Sequence, residues 1–280
     1  MMKAAGVGVL GVCLVLGMSL TNGIGTKKAD AAEIKPLVLK ASIAGLSTTP
    51  IETEVAVEPA LSKQELVDQK LNGLYGSIFN LEAEAPAFDV FKKAMVGYTN
   101  LLSEGKISNK NIITIIDFSL PSVEKRMWIV DLATQKILFH DWVAHGKNSG
   151  GNMATSFSNT PNSNQSSLGF YITANTYTGK HGLSLRLQGQ EDGINHNAFK
   201  RAIVMHGADY VNEGIIKSVG RLGRSFGCPA VSMKIYKDVI NTVANGSCMF
   251  IYHPQENYLT KSNLLREGDK TTDLLLATAF

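Results

Sequence analysis

The sequence predicts an α+β fold that is mainly β, with a helical hairpin ahead of the strands. Two observations carry this. Between Asn111 and His253, short runs rich in β-branched and aromatic residues recur, separated by Gly, Asn, Ser and Asp. Ahead of them, from Ser62 to Gly105, apolar residues recur at helical spacing instead.

With 280 residues, 44% apolar and 18% charged, the chain has room for one large domain or a domain with an appendage, and its composition suits a globular protein. Lys3 precedes an apolar stretch from Ala4 to Leu20, and Ala29-Asp30-Ala31 has the small-residue form of a cleavage site, so residues 1–31 read as a signal peptide. If retained, the same stretch would be a membrane anchor. Cys13 would be a lipidation site, but bulky Val12 stands where a small residue is wanted. Residues 32–60 are rich in Ala, Thr, Val, Pro and Glu without periodicity, which predicts a flexible linker.

Residues 61–106 carry the hairpin. Ser62 with Glu65 three residues on forms a capping-box pattern, followed by an apolar face of Leu66, Leu71, Leu74, Ile78 and Phe79. The second helix places Phe91, Met95, Tyr98 and Leu102 on one side and stops at Gly105. Residues 107–256 form the strand-rich domain. NIITIIDFS, RMWIVDL and KILFHDWVA lead, the last two paired as a hairpin across DLATQ. From Lys147 to Ser167 almost no large apolar residue occurs, as in a long surface loop over a site or a disordered segment. SLGFYITANTY, HGLSLRLQG and FKRAIVMHG resume strand character. A helix follows over Lys234–Gly246, then the strand SCMFIYH, in which Cys248 reads as a buried small apolar residue. The tail, 257–280, ends in LLLATAF, too apolar to lie open without cost.

The chemistry gathers in GRLGRSFGCPAVS, Gly220 to Ser232, and IVMHGADY, Ile203 to Tyr210. Cys228 is the candidate nucleophile. A free thiol is only a few per cent ionised at neutral pH, so it needs a base and a favourable field. His206 is the candidate base, and Arg221 and Arg224 are the guanidinium groups expected to favour the thiolate. The N–H groups of Gly227 and Cys228 are the candidate oxyanion donors. His145 and His181 each sit in a His-Gly pair at a strand–loop junction and could line the cleft or face solvent. Arg186, in the alternating run LSLRLQG, could meet a substrate carboxylate or simply lie on an exposed strand face. An exported chain with Cys228 and Cys248 also invites a disulfide between them, which would silence the nucleophile.

His-Gly followed about twenty residues later by S-x-G-C resembles the murein L,D-transpeptidase catalytic domain family, the YkuD-like domains of bacterial cell walls. The likeness runs from about Lys110 to His253 and includes AHGKNSGG, SLGFY and GKHGLSLRLQG. It implies a compact β-sandwich or barrel-like catalytic domain. It also implies a thioester on Cys228, formed at the bond between the third residue and the terminal D-alanine of a peptidoglycan stem peptide. By the same resemblance the Gly207 carbonyl orients the His206 ring, Ser225 is the family's serine, and carbapenems acylate the thiol. Two positions depart: Phe226 stands where many members have histidine, and Ala230 where many have Arg or Asn. Arg224 or Arg221 is therefore expected to supply the missing polar contact to the substrate.

Alternatives are an L,D-carboxypeptidase cleaving the same bond, a sortase-like transpeptidase, and a non-catalytic wall-binding module. The expected setting is exported, periplasmic or cell-wall associated, with membrane contact only through a retained leader or lipidated Cys13. The formal charge is +3 and becomes +1 once the leader takes away three lysines and one aspartate, and no basic run with interleaved aromatics occurs, so nucleic acid is not an expected partner. No two of His145, His181, His206 and Cys228 have short ligand spacing, so neither a metal nor another cofactor is expected.

Overall fold

A computed structural model describes residues 60–79 and 84–280. The leader, Cys13 and nearly all of the linker lie outside the described residues. No helix among the described residues is long and apolar enough to cross a membrane.

The fold is mostly sheet with several helices, as the strand-rich sequence predicts. Helix α1 spans Lys63–Phe79 and opens on a formed capping box: the Glu65 N–H donates to Ser62 Oγ (3.3 Å), and the Ser62 N–H donates to Glu65 Oε2 (2.7 Å). Its buried face is Val67, Leu71, Leu74, Ile78 and Phe79; Leu66, expected on that face, is 39% exposed, and Val67 takes its place one residue on. Helix α2 spans Phe88–Ser103, and Gly105 stands past its end at φ 68°. Phe91, Met95 and Tyr98 are buried as expected, Leu102 only partly, and Val90, Ala94, Val96, Thr99 and Leu101 are buried as well. A single stripe does not describe this helix, because it is covered on more than one side. The sheet lies against it at Gly97, where an added Cβ would fall 2.0 Å from the fully buried Phe170 ring. The C-terminal helix α6, Asp269–Ala277, packs against both α1 and α2. Thus part of the apolar tail is used as packing, and Phe280 meets the Tyr98 ring at 6.3 Å.

The strands are β1 Ile112–Asp117, β2 Met127–Asp131, β3 Lys136–Asp141, β4 Val143–Ala144, β5 Gly169–Gly179, β6 Gly182–Gly189, β7 Val204–Ala208, β8 Ala230–Ser232 and β9 Cys248–Tyr252. They form one sheet in the order β3-β2-β1-β9-β5-β6-β7-β8-β4. Its two edge strands, β3 and β4, are separated by one residue, Trp142. A chain that steps from one edge to the other in one residue forces the sheet to curl back on itself, so it is nearly closed and barrel-like. β2 and β3 pair antiparallel as the expected hairpin, turning through Gln135 at φ 53°. β9 inserts between β1 and β5, parallel to the first and antiparallel to the second, and stacks Phe250 on Phe170 at 4.2 Å.

Three further helices complete the chain: α3 Glu213–Val219, α4 Tyr236–Val243 and α5 Glu256–Lys261. α4 falls within the expected range, whereas α3, between the two halves of the candidate site, has no buried residue and so no apolar stripe to announce it. Cys248 is fully buried in β9, and both it and Cys228 are free thiols, so the disulfide alternative is set aside.

Candidate active site

The site is assembled by two parallel neighbours, β7 and β8, in the register His206↔Ala230 and Gly207↔Val231. Cys228 lies two residues before Ala230, and His206 lies two residues after Val204. The Val204 N–H points at Cys228 Sγ (3.4 Å), and the sulfur also approaches the Ala202 carbonyl (3.8 Å). Residues two apart on a strand share a face. Val204 and His206 therefore share a face of β7, and the sulfur meets the main chain of that strand at Val204.

His206 is almost fully buried, and its Nδ1 lies 2.9 Å from the Gly207 carbonyl oxygen. A carbonyl only accepts, so Nδ1 carries the proton and Nε2 keeps a free lone pair. Burial lowers the imidazole pKa, opposed by the Gly207 hydrogen bond and assisted by the charges of His181 and Lys180. Burial raises the thiol of Cys228, while the Val204 N–H and then the Arg201 and Lys180 cations pull it back down. Both shifts run toward the neutral forms, of the thiol and of the imidazole. A standing thiolate, the expectation from sequence, does not fit that field.

Ser225 organises the turn that leads into Cys228. Its Oγ donates to the Cys228 carbonyl (2.6 Å) and accepts from the Gly227 N–H (3.0 Å). The second bond corrects one expectation: the Gly227 N–H is occupied within the turn and does not face an incoming oxyanion. Gly227 is required for fit instead. Its φ is 125°, and an added Cβ would lie 2.7 Å from the Gln165 carbonyl oxygen.

The arginines nearest Cys228 in sequence are employed elsewhere. Arg221 donates to the Leu222 carbonyl (2.7 Å), and Arg224 ties the neighbouring loop down through the carbonyls of Lys147 (3.0 Å) and Gly150 (2.8 Å). The guanidinium whose charge reaches the sulfur belongs to Arg201. Its two terminal nitrogens donate to the Ser158 and Gln165 carbonyls and to the Ser167 and Ser163 hydroxyls, at 2.6–3.1 Å. These bonds hold the polar segment 147–167 beside Gly227. Within that segment the Ser166 N–H donates to Ser149 Oγ and the Asn148 amide to the Ser163 carbonyl, and Asn162 and Asn164 take the positive φ values that asparagine tolerates. It is an ordered loop held by polar side chains. Arg201 gave no sequence signal beyond being a basic residue in FKRAIV.

The two remaining histidines separate. His181, in the β5–β6 turn, is exposed and stacks on the His206 ring at 4.3 Å. His145 is 1% exposed and lines no cleft. Arg126, itself fully buried, donates from Nη2 to His145 Nδ1 (2.8 Å), and burial together with that charge lowers His145 to about 4. Arg186 lies on β6 opposite Val204, over the rings of Tyr177 and Phe199. Phe226, in the family's histidine position, is 65% exposed beneath the Lys147 ammonium.

A cavity of about 320 Å³ is lined by His181, Gly207, Tyr210, Met233 and Tyr236 among others; Cys228 and His206 are not in its lining, and His181, which stacks on His206, adjoins both. A larger one, about 510 Å³, lies between Trp128 and Trp142, away from the thiol, and holds none of this machinery. Among the described residues no three His, Cys, Asp or Glu side chains gather as metal ligands.

A family model for the L,D-transpeptidase catalytic domain matches residues 82–252. No curated protein matches the chain. Among solved structures, an L,D-transpeptidase from Mycobacterium smegmatis is similar at 10% identity and a TM-score of 0.33, over 51% of this chain and 59% of that one. L,D-transpeptidase 3 from Mycobacterium tuberculosis is similar at 9% identity and a TM-score of 0.34, over 51% and 61%. An L,D-transpeptidase from Stackebrandtia nassauensis is similar at 12% identity and a TM-score of 0.30, over 70% and 93%. The chain thus spans less than two thirds of the length of the two mycobacterial structures.

Proposed function

We propose a reaction on one premise: this chain belongs to the L,D-transpeptidase catalytic domain family, whose model matches more than half of its length. The reaction is acyl transfer on peptidoglycan stem peptides with Cys228 as nucleophile. The observation that supports it best is the β7–β8 pairing, in which His206 lies opposite Ala230, two residues after Cys228, and the Val204 N–H lies 3.4 Å from the sulfur.

Because burial favours the neutral form of each group, the proton moves during the reaction. His206 Nε2 takes the thiol proton as sulfur attacks the carbonyl carbon of the third stem residue. The Cys228 N–H is the donor left to the developing oxyanion, since the Gly227 N–H is engaged by Ser225. The imidazolium returns the proton to the amine of the departing D-alanine as the C–N bond breaks, leaving a thioester. An amine of a second stem then attacks the thioester, His206 removes its proton, and a peptide bond forms as the thiol is regenerated. Water in place of the amine gives carboxypeptidase activity. Gly207 holds the ring tautomer throughout, and Arg201 offers the charge that steadies the transient thiolate. The cavity lined by His181 and Tyr210, which reaches the site through the His181–His206 stack, takes the stem. The chain acts outside the cytoplasm, where its substrate is.

The test is mass spectrometry of the protein with a tetrapeptide-bearing muropeptide, wild type beside Cys228→Ala and His206→Ala. The expected result is D-alanine release and a thioester-mass adduct in wild type, neither in C228A, and the cross-linked or hydrolysed product that identifies the acceptor. Equal D-alanine release from C228A would overturn the proposal. Wild-type protein that forms no adduct with either the muropeptide or a carbapenem would favour a wall-binding module.

A further inference from the structure

The β5–β6 turn reaches the candidate base from outside. Gly179 pairs directly with Gly182, so only Lys180 and His181 join the two strands. Gly182 takes φ 73°, and an added Cβ there would lie 3.0 Å from the Tyr236 hydroxyl of α4, which fixes the corner. Two residues further along β6, Ser184 pairs with His206 of β7. The tight turn therefore overhangs β7 and lays the His181 ring on the His206 ring, with centroids 4.3 Å apart and planes within 22°. His181 is exposed, whereas His206 is almost fully buried.

Stacked rings meet through their faces, while imidazole nitrogens bond in the ring plane. The two histidines therefore pass no proton to each other, and what couples them is charge. In the acyl-transfer reading His206 becomes positive each time it takes the thiol proton. A neutral ring offers that charge an electron-rich face, and a protonated ring repels it. The charge of His181 does oppose protonation of His206, after burial and the Gly207 bond. The other charged and titratable groups nearby are Lys180 of the same turn, whose charge reaches both His206 and Cys228, and Asp209, Tyr210 and Tyr236, which line the adjoining cavity. Among the described residues no carboxylate pairs with His181, so a proton there is not neutralised locally.

Resting on the acyl-transfer reading above, we infer that His181 is a positioning residue for the base, and that the stacked pair holds one proton at a time. Neutral His181 backs the His206 ring and accommodates the imidazolium that forms as sulfur attacks. Protonated His181 opposes that imidazolium. A proton on either ring therefore stops acyl transfer.

The test pairs two readouts on wild type, His181→Phe, His181→Ala and Lys180→Gln. One is the pH dependence of kcat/KM for D-alanine release from a tetrapeptide stem. The other is the titration of His206 in the free protein, followed by nitrogen-15 NMR. A one-proton pair predicts opposite shifts. H181F removes the second ring that can stop the reaction, so the acid midpoint of kcat/KM should fall, by roughly 0.3 pH units or more. The same substitution removes the charge that opposes protonation of His206, so its NMR midpoint should rise. K180Q, which removes a charge but no ring, should move both midpoints upward together. H181A, which also removes the stacking face, should lower kcat at the alkaline plateau about two- to tenfold below that of H181F. Both midpoints moving the same way in H181F, neither moving, or equal plateaus for H181A and H181F would overturn the inference. A raised NMR midpoint in H181F with no turnover in wild type counts against acyl transfer alone, and turnover with an unmoved NMR midpoint counts against the pair.

Discussion

His145-Gly146, just past β4, and His206-Gly207, in the middle of β7, are the same dipeptide held in opposite tautomers. Arg126 can only donate, so His145 Nδ1 must accept, and the proton is left on the buried Nε2, toward the Gly150 and Gly151 backbone. The Gly207 carbonyl can only accept, so His206 Nδ1 donates and Nε2 keeps its lone pair. What separates the two histidines here is the sign of one hydrogen bond.

The largest expected effect lies on the catalytic side of that comparison. His206→Gln removes the base while keeping a polar group, and should lower turnover by roughly 10²–10⁴-fold. Thermal stability should hardly move, which circular dichroism checks. A comparable loss from His145→Gln with an unchanged fold would erase the distinction between the two sites.

The next effect belongs to stability and to His145. Its pKa is about 4 in the folded protein, against an ordinary 6.5, because burial and then Arg126 oppose the charged ring. The unfolded chain therefore takes up a proton that the folded one refuses between those values. Stability is full above about pH 6.5 and falls as pH drops toward 4, by up to about 3 kcal/mol from this group. His206 and His253 are also lowered by burial and act in the same sense, so the difference between variants isolates His145. His145→Gln keeps an acceptor for Arg126 but does not titrate. Denaturant titrations from pH 7.5 to 4.5 should show a shallower loss than wild type, and identical slopes would contradict the assignment.

A smaller effect sharpens the picture around the thiol. Arg201→Met removes the cation that draws Cys228 downward and releases the loop 147–167. Iodoacetamide alkylation of Cys228 should then move to higher pH. Arg201→Lys, which keeps the charge but not the fork, should lie between the two, and an unmoved profile in the Met variant would sink the role.

What could be read from the sequence followed the range of the forces involved. The capping box at Ser62 and Glu65 and the Gly105 stop are local, and the spacing announced both. So did the alternation of β6 and the turn around Ser225. Helix α2 was legible only in part, since α6, more than 160 residues later, covers a side that an isolated amphipathic helix would expose to water. Strand order was hidden for the same reason, because nothing local places β9 between β1 and β5. In the site, nearness in sequence misled. Arg221 and Arg224 precede Cys228 closely in sequence but bond to carbonyls around them, and the charges that reach the sulfur come from Arg201 and then Lys180. The Gly227 N–H was expected at the oxyanion and is instead consumed by the turn that presents the thiol. His145 and His206 could not be told apart from their own neighbours, since Arg126 and the β7–β8 register are both supplied by the tertiary fold.

Nitrogen-15 NMR of protein labelled at the imidazole rings, at pH 7, observes these tautomers directly. The account predicts a neutral His206 with its proton on Nδ1 and a neutral His145 with its proton on Nε2. A His206 signal showing Nε2–H, or an imidazolium paired with a resting thiolate, would contradict it.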